Sequence, residues 1–577
     1  MNTYPLFPTR PSLCLDGVWD FAWLSDDQKP LADIDATGIV FNEHQAVPGV
    51  FDTDVKRYGK RGVGFYRKQL AFACAAGQPL RLRIGGLGLA AKFWFDGQLI
   101  ASSELAYSSF NIDFNATLAG SAHELIIAVD NRFKPQATPI FAPFFDFYGY
   151  GGIYRSVELQ ALPAAFIERA QVTTLDATAG KIRLSIELGG AVPATFNGTV
   201  AFDGGAAQGL SLPVQDGRAV TDLVVPNARL WSPDSPNLHT VTISNDTDCI
   251  TERFGLRTLV TNGERIVLNG KPLTLKGANR HESHPEFGPV QNPHLIMGDL
   301  LLLKNMGANF VRCVHYPQDQ MFFDICDEVG MLAWQESMGW NNTEPSTKDP
   351  HFFALQVEQT RLMVINGMNH PSIILWGFLN ECCSETAGGR VLYQTLADTI
   401  RQRDPKFLVT YACNRTHANP DGTPADICFD LCDVVAFNTY PGWIGGKCTW
   451  LDESASLIAP EIIRIAALAQ QPALKGKPAI MSEMGCCALY GFHDMANAQW
   501  AEEYQADYVS EVCRQVFGNG RFMGLAIWQF CDTRSYVNAA PGVRSKPRGF
   551  NCAGLVDEYR RPKLSYWAIQ KLYRDLP

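Results

Sequence analysis

From residue 259 onward, short apolar runs alternate with helix-length amphipathic stretches. That alternation restricts the fold to one built from βα units. Eight runs have the length and composition of strands: 273–276, 309–314, 331–335, 373–379, 407–412, 434–437, 479–482 and 523–528. Helical stretches such as 292–306 and 319–328 lie between them, and a hairpin around Asn269-Gly270-Lys271 precedes the first. Eight such units predict a (β/α)₈ TIM barrel over 259–577.

The chain before residue 259 reads differently. Strand-like runs recur at short spacing over 62–70, 80–84, 91–95, 124–129 and 154–159, separated by turns such as Asp96-Gly97. Even spacing without helical periodicity predicts a β jelly roll over 1–163. The segment 164–258 alternates apolar and polar residues, as in 181–188. Its length suits an immunoglobulin-like β-sandwich. There is no internal repeat and no low-complexity segment.

In a TIM barrel, catalytic groups stand at the C-terminal ends of the strands. Here those ends carry His281 and Glu282, His315 and Tyr316, Glu336, Asn380-Glu381, Asn414, Asn438 and Tyr440, Glu483, and Trp528. A lone histidine after a strand is more often a satisfied core residue. Polar or aromatic groups after all eight strands reverse that expectation. Hydroxyl-rich ligands need several convergent hydrogen-bonding groups and a flat apolar floor, and these residues supply both. Glu381 and Glu483 are 102 residues apart, yet a barrel can bring them to one mouth. Two facing carboxylates are the equipment for cleaving a glycosidic bond.

Composition excludes other classes. A net charge of −10 and the lack of a basic run argue against a nucleic-acid binder. No apolar stretch is long enough for a membrane helix, so no membrane partner is expected. The first residues lack a basic region followed by an apolar one, so no signal peptide and a cytoplasmic location are expected. The sixteen cysteines then read as mostly free, buried thiols. A purely carbohydrate-binding module would have no use for two facing carboxylates.

The strand ends also resemble a known family. Asn279-Arg-His-Glu-Ser-His-Pro285, Val311-Arg-Cys-Val-His-Tyr-Pro317, Trp376-Gly-Phe-Leu-Asn-Glu381, Asn438-Thr-Tyr440, Ser482-Glu-Met-Gly485 and Ile527-Trp528 are similar to motifs of glycoside hydrolase family 2, the β-galactosidase and β-glucuronidase family. Residues 144–155 resemble the jelly-roll segment of that family, whose aspartate, here Asp146, reaches toward the sugar. The resemblance implies a retaining exo-β-glycosidase with Glu381 as acid/base and Glu483 as nucleophile. It implies sugar contacts from Asp146, His281, His315, Asn380, Tyr440, Trp528 and Asn551. It also implies a homo-dimer or homo-tetramer. No cofactor and no metal are expected; Glu282 and Glu336 are candidate cation ligands by residue type only.

The sugar is the open question. Family β-glucuronidases carry an Asn-x-Lys motif whose lysine binds the sugar carboxylate. Here Asn551 is kept, but Ala553 stands where that lysine is expected. This points to a neutral sugar, a β-galactoside. The alternative is a β-glucuronidase or β-galacturonidase in which Arg544, Lys546 or Arg548 supplies the missing charge.

Overall fold

A computed structural model describes residues 3–25, 29–133, 147–443, 451–535 and 546–576. Its C-terminal half closes into a parallel barrel. The strands are β1 (Leu275–Arg280), β2 (Phe310–Cys313), β3 (Leu332–Glu336), β4 (Ile373–Gly377), β5 (Val409–Thr410, resuming at Ala412–Cys413), β6 (Val435–Asn438), β7 (Ala479–Met484) and β8 (Gly524–Ile527). Every neighbouring pair is parallel, and β8 pairs with β1 to close the ring. β5 is split at Tyr411, its first half pairing with β4 and its second with β6.

Each strand except the first and the split fifth lies within one or two residues of the apolar run expected in the sequence; β1 starts two residues later than expected and runs four residues further, through Ala278, Asn279 and Arg280. β4 and β7 are buried on both faces, as parallel strands under a helical shell must be. The helices begin where the sequence offers caps. α1 (Pro293–Met306) follows Asn292, whose side chain accepts from Leu295 N, and ends at Gly307 with φ 91°. α2 (Gln320–Val329) is capped by Asp319 in the same way. The hairpin ahead of β1 turns through Asn269 and Gly270, both at positive φ, as a two-residue turn of this kind requires.

The N-terminal third is an antiparallel jelly roll. A six-stranded sheet centred on Gly62–Cys74 and Gly120–Asp130 faces a four-stranded sheet centred on Val157–Ala161 and Pro79–Ile84. Trp19, Phe21, Tyr66, Phe93 and Leu159 fill the space between them. Seven further antiparallel strands, from Ala165–Asp176 to Cys249–Phe254, wrap a second core that includes Ile182, Ile186, Phe196, Val241 and Ile250. We propose 163/164 and 258/259 as the domain limits.

The jelly roll meets the barrel mouth directly. Arg155 donates to Glu282 Oε2 and to the Pro317 carbonyl, each at 2.8 Å. The Tyr107 ring stacks on Tyr316 at 4.0 Å. Phe147 packs its ring 5.2 Å from His281 and 6.0 Å from His315. None of the described helices is long and apolar enough to cross a membrane. The described cysteines are free thiols, and all but Cys14 are buried.

Candidate active site

The site is built around Arg312, the charged residue in the middle of the otherwise apolar β2. Such a group is tolerated in a core only when fully paired. Its Nη1 donates to Glu483 Oε1 at 2.6 Å and to Asn279 Oδ1 at 3.0 Å. Its Nη2 donates to Asn380 Oδ1 at 2.9 Å. Its Nε donates to Glu336 Oε1 at 2.8 Å. One guanidinium thus reaches groups from β1, β3, β7 and the loop after β4.

Glu483, on β7, is buried. Its Oε2 accepts from the Tyr440 hydroxyl at 2.6 Å, so each oxygen has a short donor bond. His315 Nε2 lies 4.0 Å from Oε1 and has no hydrogen-bond partner, although it is buried. The Nδ1 atom of that ring faces Glu336 Oε2 at 3.3 Å. Trp528 stacks on His315 with centroids 5.4 Å apart and planes 15° from parallel. That pair supplies the flat wall.

Glu381 stands after β4 on strained backbone. Leu379 and Glu381 have φ of 50° and 52°, a region that side chains with a Cβ seldom occupy. Such strain persists only when the surroundings fix it, and it concentrates at functional sites. Here the fixing bonds are Glu381 N to the Ala412 carbonyl at 3.0 Å and Asn380 N to the Gly339 carbonyl at 2.9 Å. Asn438 donates to Glu381 Oε1 at 2.8 Å, and Asn414 donates to Oε2 at 3.0 Å. Burial, reinforced by the nearby Glu483 carboxylate, pushes the Glu381 carboxyl up to about 7. Asn438 also donates to Asn380 Oδ1 at 3.2 Å. Asn380 Nδ2 has no partner in a position that is 1% exposed. A buried amide N–H left open in this way is a ready donor for a ligand hydroxyl.

His281 completes the wall on the β1 side, its Nδ1 3.3 Å from the Tyr316 hydroxyl. Burial first, then the cationic groups around it, hold its imidazole well below the usual range. Asn551 pairs with Thr533 beyond β8, and its Oδ1 accepts from Ala553 N at 3.2 Å. Ala553 packs among Val314, Cys487, Trp528, Phe550 and Cys552.

Seven of the nine residues expected at the site are brought together by these contacts, with His281 5.7 Å from Trp528, whereas Asn551 lies beside Cys487. Asp146 lies outside the described residues. Glu282 and Glu336, the candidates for a cation, are ion-paired to Arg155 and Arg312. Among the described residues, the one cluster with metal-ligand geometry is Asp324, Asp327 and His370, which already holds Arg253 2.7 Å from Asp324. Arg312, Asn414 and Asn438 carry roles here that their sequence neighbourhoods do not assign. A cation inside an apolar strand was the available signal for the first.

The model for "Glycosyl hydrolases family 2, TIM barrel domain" matches residues 259–576, and that for "Glycosyl hydrolases family 2" matches 165–257. The chain belongs to glycosyl hydrolases family 2. As a family member it is an O-glycosyl hydrolase, and the site described above occupies the mouth where its strand-end carboxylates meet. A structure of a GH2 β-galacturonidase from Eisenbergiella tayi bound to galacturonate is 31% identical, with a TM-score of 0.87 and coverage of 100% of this chain and 99% of that one. The β-glucuronidase of Faecalibacterium prausnitzii is 26% identical, with a TM-score of 0.83 over 99% of this chain and 98% of that one. The curated β-glucuronidase of Streptococcus agalactiae is 26% identical over 100% of this chain and 98% of its own length.

Proposed function

We propose that this family 2 enzyme is a retaining exo-β-uronidase, with β-galacturonides as preferred substrates ahead of β-glucuronides. The observation that carries this reading is the full-length, 31% identical likeness to a β-galacturonidase. The glucuronidase relatives named above are less similar, at 26% identity each. The neutral-sugar expectation rested on Ala553 alone, and the relatives favour the uronide alternative over it. A neutral β-galactoside remains the second reading to test, because Ala553 places a methyl group where a cation was expected.

In the first half of the reaction, Glu483 attacks the anomeric carbon while Glu381 gives its proton to the departing glycosidic oxygen. The products are the free aglycone and a glycosyl ester on Glu483. In the second half, Glu381, now a carboxylate, takes a proton from water as the oxygen attacks the same carbon. The ester breaks, and both glutamates return to their starting states. Arg312 and Tyr440 hold the Glu483 oxygens in the attacking orientation. Asn380 Nδ2 is an open donor and His315 Nε2 an open ring nitrogen for sugar hydroxyls. A proton held near pH 7 suits Glu381 to both steps.

The test is a panel of 4-nitrophenyl β-glycosides: galacturonide, glucuronide and galactoside. A kcat/KM on the galacturonide well above the other two is expected. A galactoside hydrolysed faster than both uronides would overturn the reading.

A further inference from the structure

Of the cations near Ala553, Arg544 lies outside the described residues, and Arg548 is engaged by Glu558 Oε1 at 3.0 Å. The opposite end of the barrel holds a cation that no acid engages. A cavity of about 430 Å³ opens there, between the sandwich strand Ala165–Asp176, the linking segment 254–261 and the start of β4. Clefts that hold small ligands typically run from about 300 to 1,000 Å³. None of the sugar-site residues lines this one, and the length of β4 separates it from Glu381.

Arg257 lines the cavity and is half-buried. Its Nη2 donates to the Ile373 carbonyl at 2.6 Å, whereas its Nη1 has no hydrogen-bond partner in the protein. Among the described residues no carboxylate forms an ion pair with it. Burial pushes the guanidinium down to about 10, and the charge of Asp327 opposes this only in part, so Arg257 is cationic at neutral pH. The other charged groups of the lining are engaged. Asp404 accepts from Lys406 N at 2.9 Å and from Thr173 Oγ1 at 3.3 Å. Asp433 Oδ2 accepts from Arg401 Nη2 and Val409 N, each at 2.8 Å. His370 Nδ1 lies 2.6 Å from Asp327 Oδ2. Lys406 Nζ donates to the Thr174 carbonyl at 3.1 Å and adds a second positive charge at the exposed rim.

Much of the remaining wall is apolar. The Trp376 and Phe407 rings stand 5.1 Å apart with planes at 34°, and Phe254, Met368 and Leu408 lie beside them. A cation held partly out of water without a counter-ion is costly, and an anion brought to it relieves that cost. The planar guanidinium matches a carboxylate in particular. Two tilted rings favour an aromatic body between or against them. We infer that this cavity binds a small aromatic carboxylate, its anionic group on Arg257 and its ring against Trp376 and Phe407. The association is noncovalent and leaves both partners ionised. It is independent of which sugar the catalytic mouth takes.

Isothermal titration of the full chain with 2-naphthoate tests this, before and after treatment with a 2-fluoro glycoside. One saturable site per chain is expected, with the same affinity in both samples. 2-Naphthalenemethanol keeps the rings without the charge, and inorganic phosphate keeps charge without the rings; both should bind much more weakly. Arg257→Met should weaken naphthoate binding about 10- to 150-fold, the scale of one lost charged hydrogen-bonded contact. If Arg257→Met folds poorly, Val260→Glu carries the test. Val260 lines the cavity and is 52% exposed, so the change spares the core, and the new carboxylate should repel the probe. Absence of saturable binding to the wild type, an alcohol or phosphate that binds as tightly as naphthoate, or an affinity unchanged in the variant used would each overturn the inference. Binding abolished by the 2-fluoro glycoside would assign the probe to the catalytic mouth and overturn it as well.

Discussion

Arg312 Nη1 donates to Glu483 Oε1 across 2.6 Å, and neither side chain has appreciable contact with solvent. The same guanidinium also binds Glu336 at 2.7 Å. Breaking a buried pair by removing one partner typically costs about 3–5 kcal/mol, because the other charge is left unpaired. Arg312→Met should therefore lower the melting temperature as well as the rate. Arg312→Lys keeps the charge but cannot span four acceptors. It should fold and still lose at least about 100-fold in kcat, a value in the range of a lost preorganised donor. A kcat near wild type for Arg312→Lys would mean that the fork geometry is not needed.

Glu483 is the proposed nucleophile. Glu483→Gln keeps the shape and hydrogen-bonding size of the side chain. It should reduce turnover by about 10⁴-fold or more, the scale seen when a nucleophile is removed. Mass spectrometry of the wild type after a 2-fluoro glycoside should find the sugar on the peptide containing Glu483. A label on any other residue sinks the assignment.

Glu381 is the proposed acid, which gives up a proton in the first step. With its carboxyl near 7, the protonated fraction declines as pH rises, so kcat/KM should fall along a limb centred near pH 7. Glu381→Ala should lose about 10²- to 10⁴-fold on poor leaving groups and much less on activated ones. Azide should restore turnover with the activated substrates. Equal losses on every leaving group, without rescue, would count against the role.

The same raised carboxyl carries a stability signature. In the unfolded chain Glu381 titrates near the ordinary value of about 4.3. Its folded value is about 7, so the folded state favours the protonated form. That contribution is complete below about pH 4.3 and is lost as pH rises through 7. Glu381→Gln should melt about 1–4 °C higher than wild type at pH 8 and show little gain at pH 5. Calorimetry at the two pH values decides this, and a gain that is equal at both would refute the linkage.

Much of this architecture was legible because its causes are local. The barrel strands announce themselves as apolar runs buried on both faces, and Asn292 and Asp319 are readable caps. Glu381, Glu483, His315 and Trp528 could be placed because each directly follows or ends such a run. Arg312 was harder: its position in β2 was plain, but its four partners come from elements 24 to 171 residues away. Asn414 and Asn438 were visible at strand ends, yet nothing in their neighbourhood says that they share the two oxygens of Glu381. The sugar is less legible than the chemistry. Ala553 removes a cation at one position, and the nearby Arg544, Lys546 and Arg548 leave the charge partner open in the sequence.

Phe147 and Arg155 belong to the jelly roll, yet they pack on His281 and hold Glu282 at the barrel mouth. The catalytic unit is therefore not portable. A barrel expressed alone, or joined to another enzyme's N-terminal domain, would present its histidines without their wall. A lesion in the jelly roll would then be scored as a defect in chemistry, although every catalytic residue is intact. For lineages that recombine whole domains, the barrel and jelly roll of this enzyme have to travel as one inheritable piece.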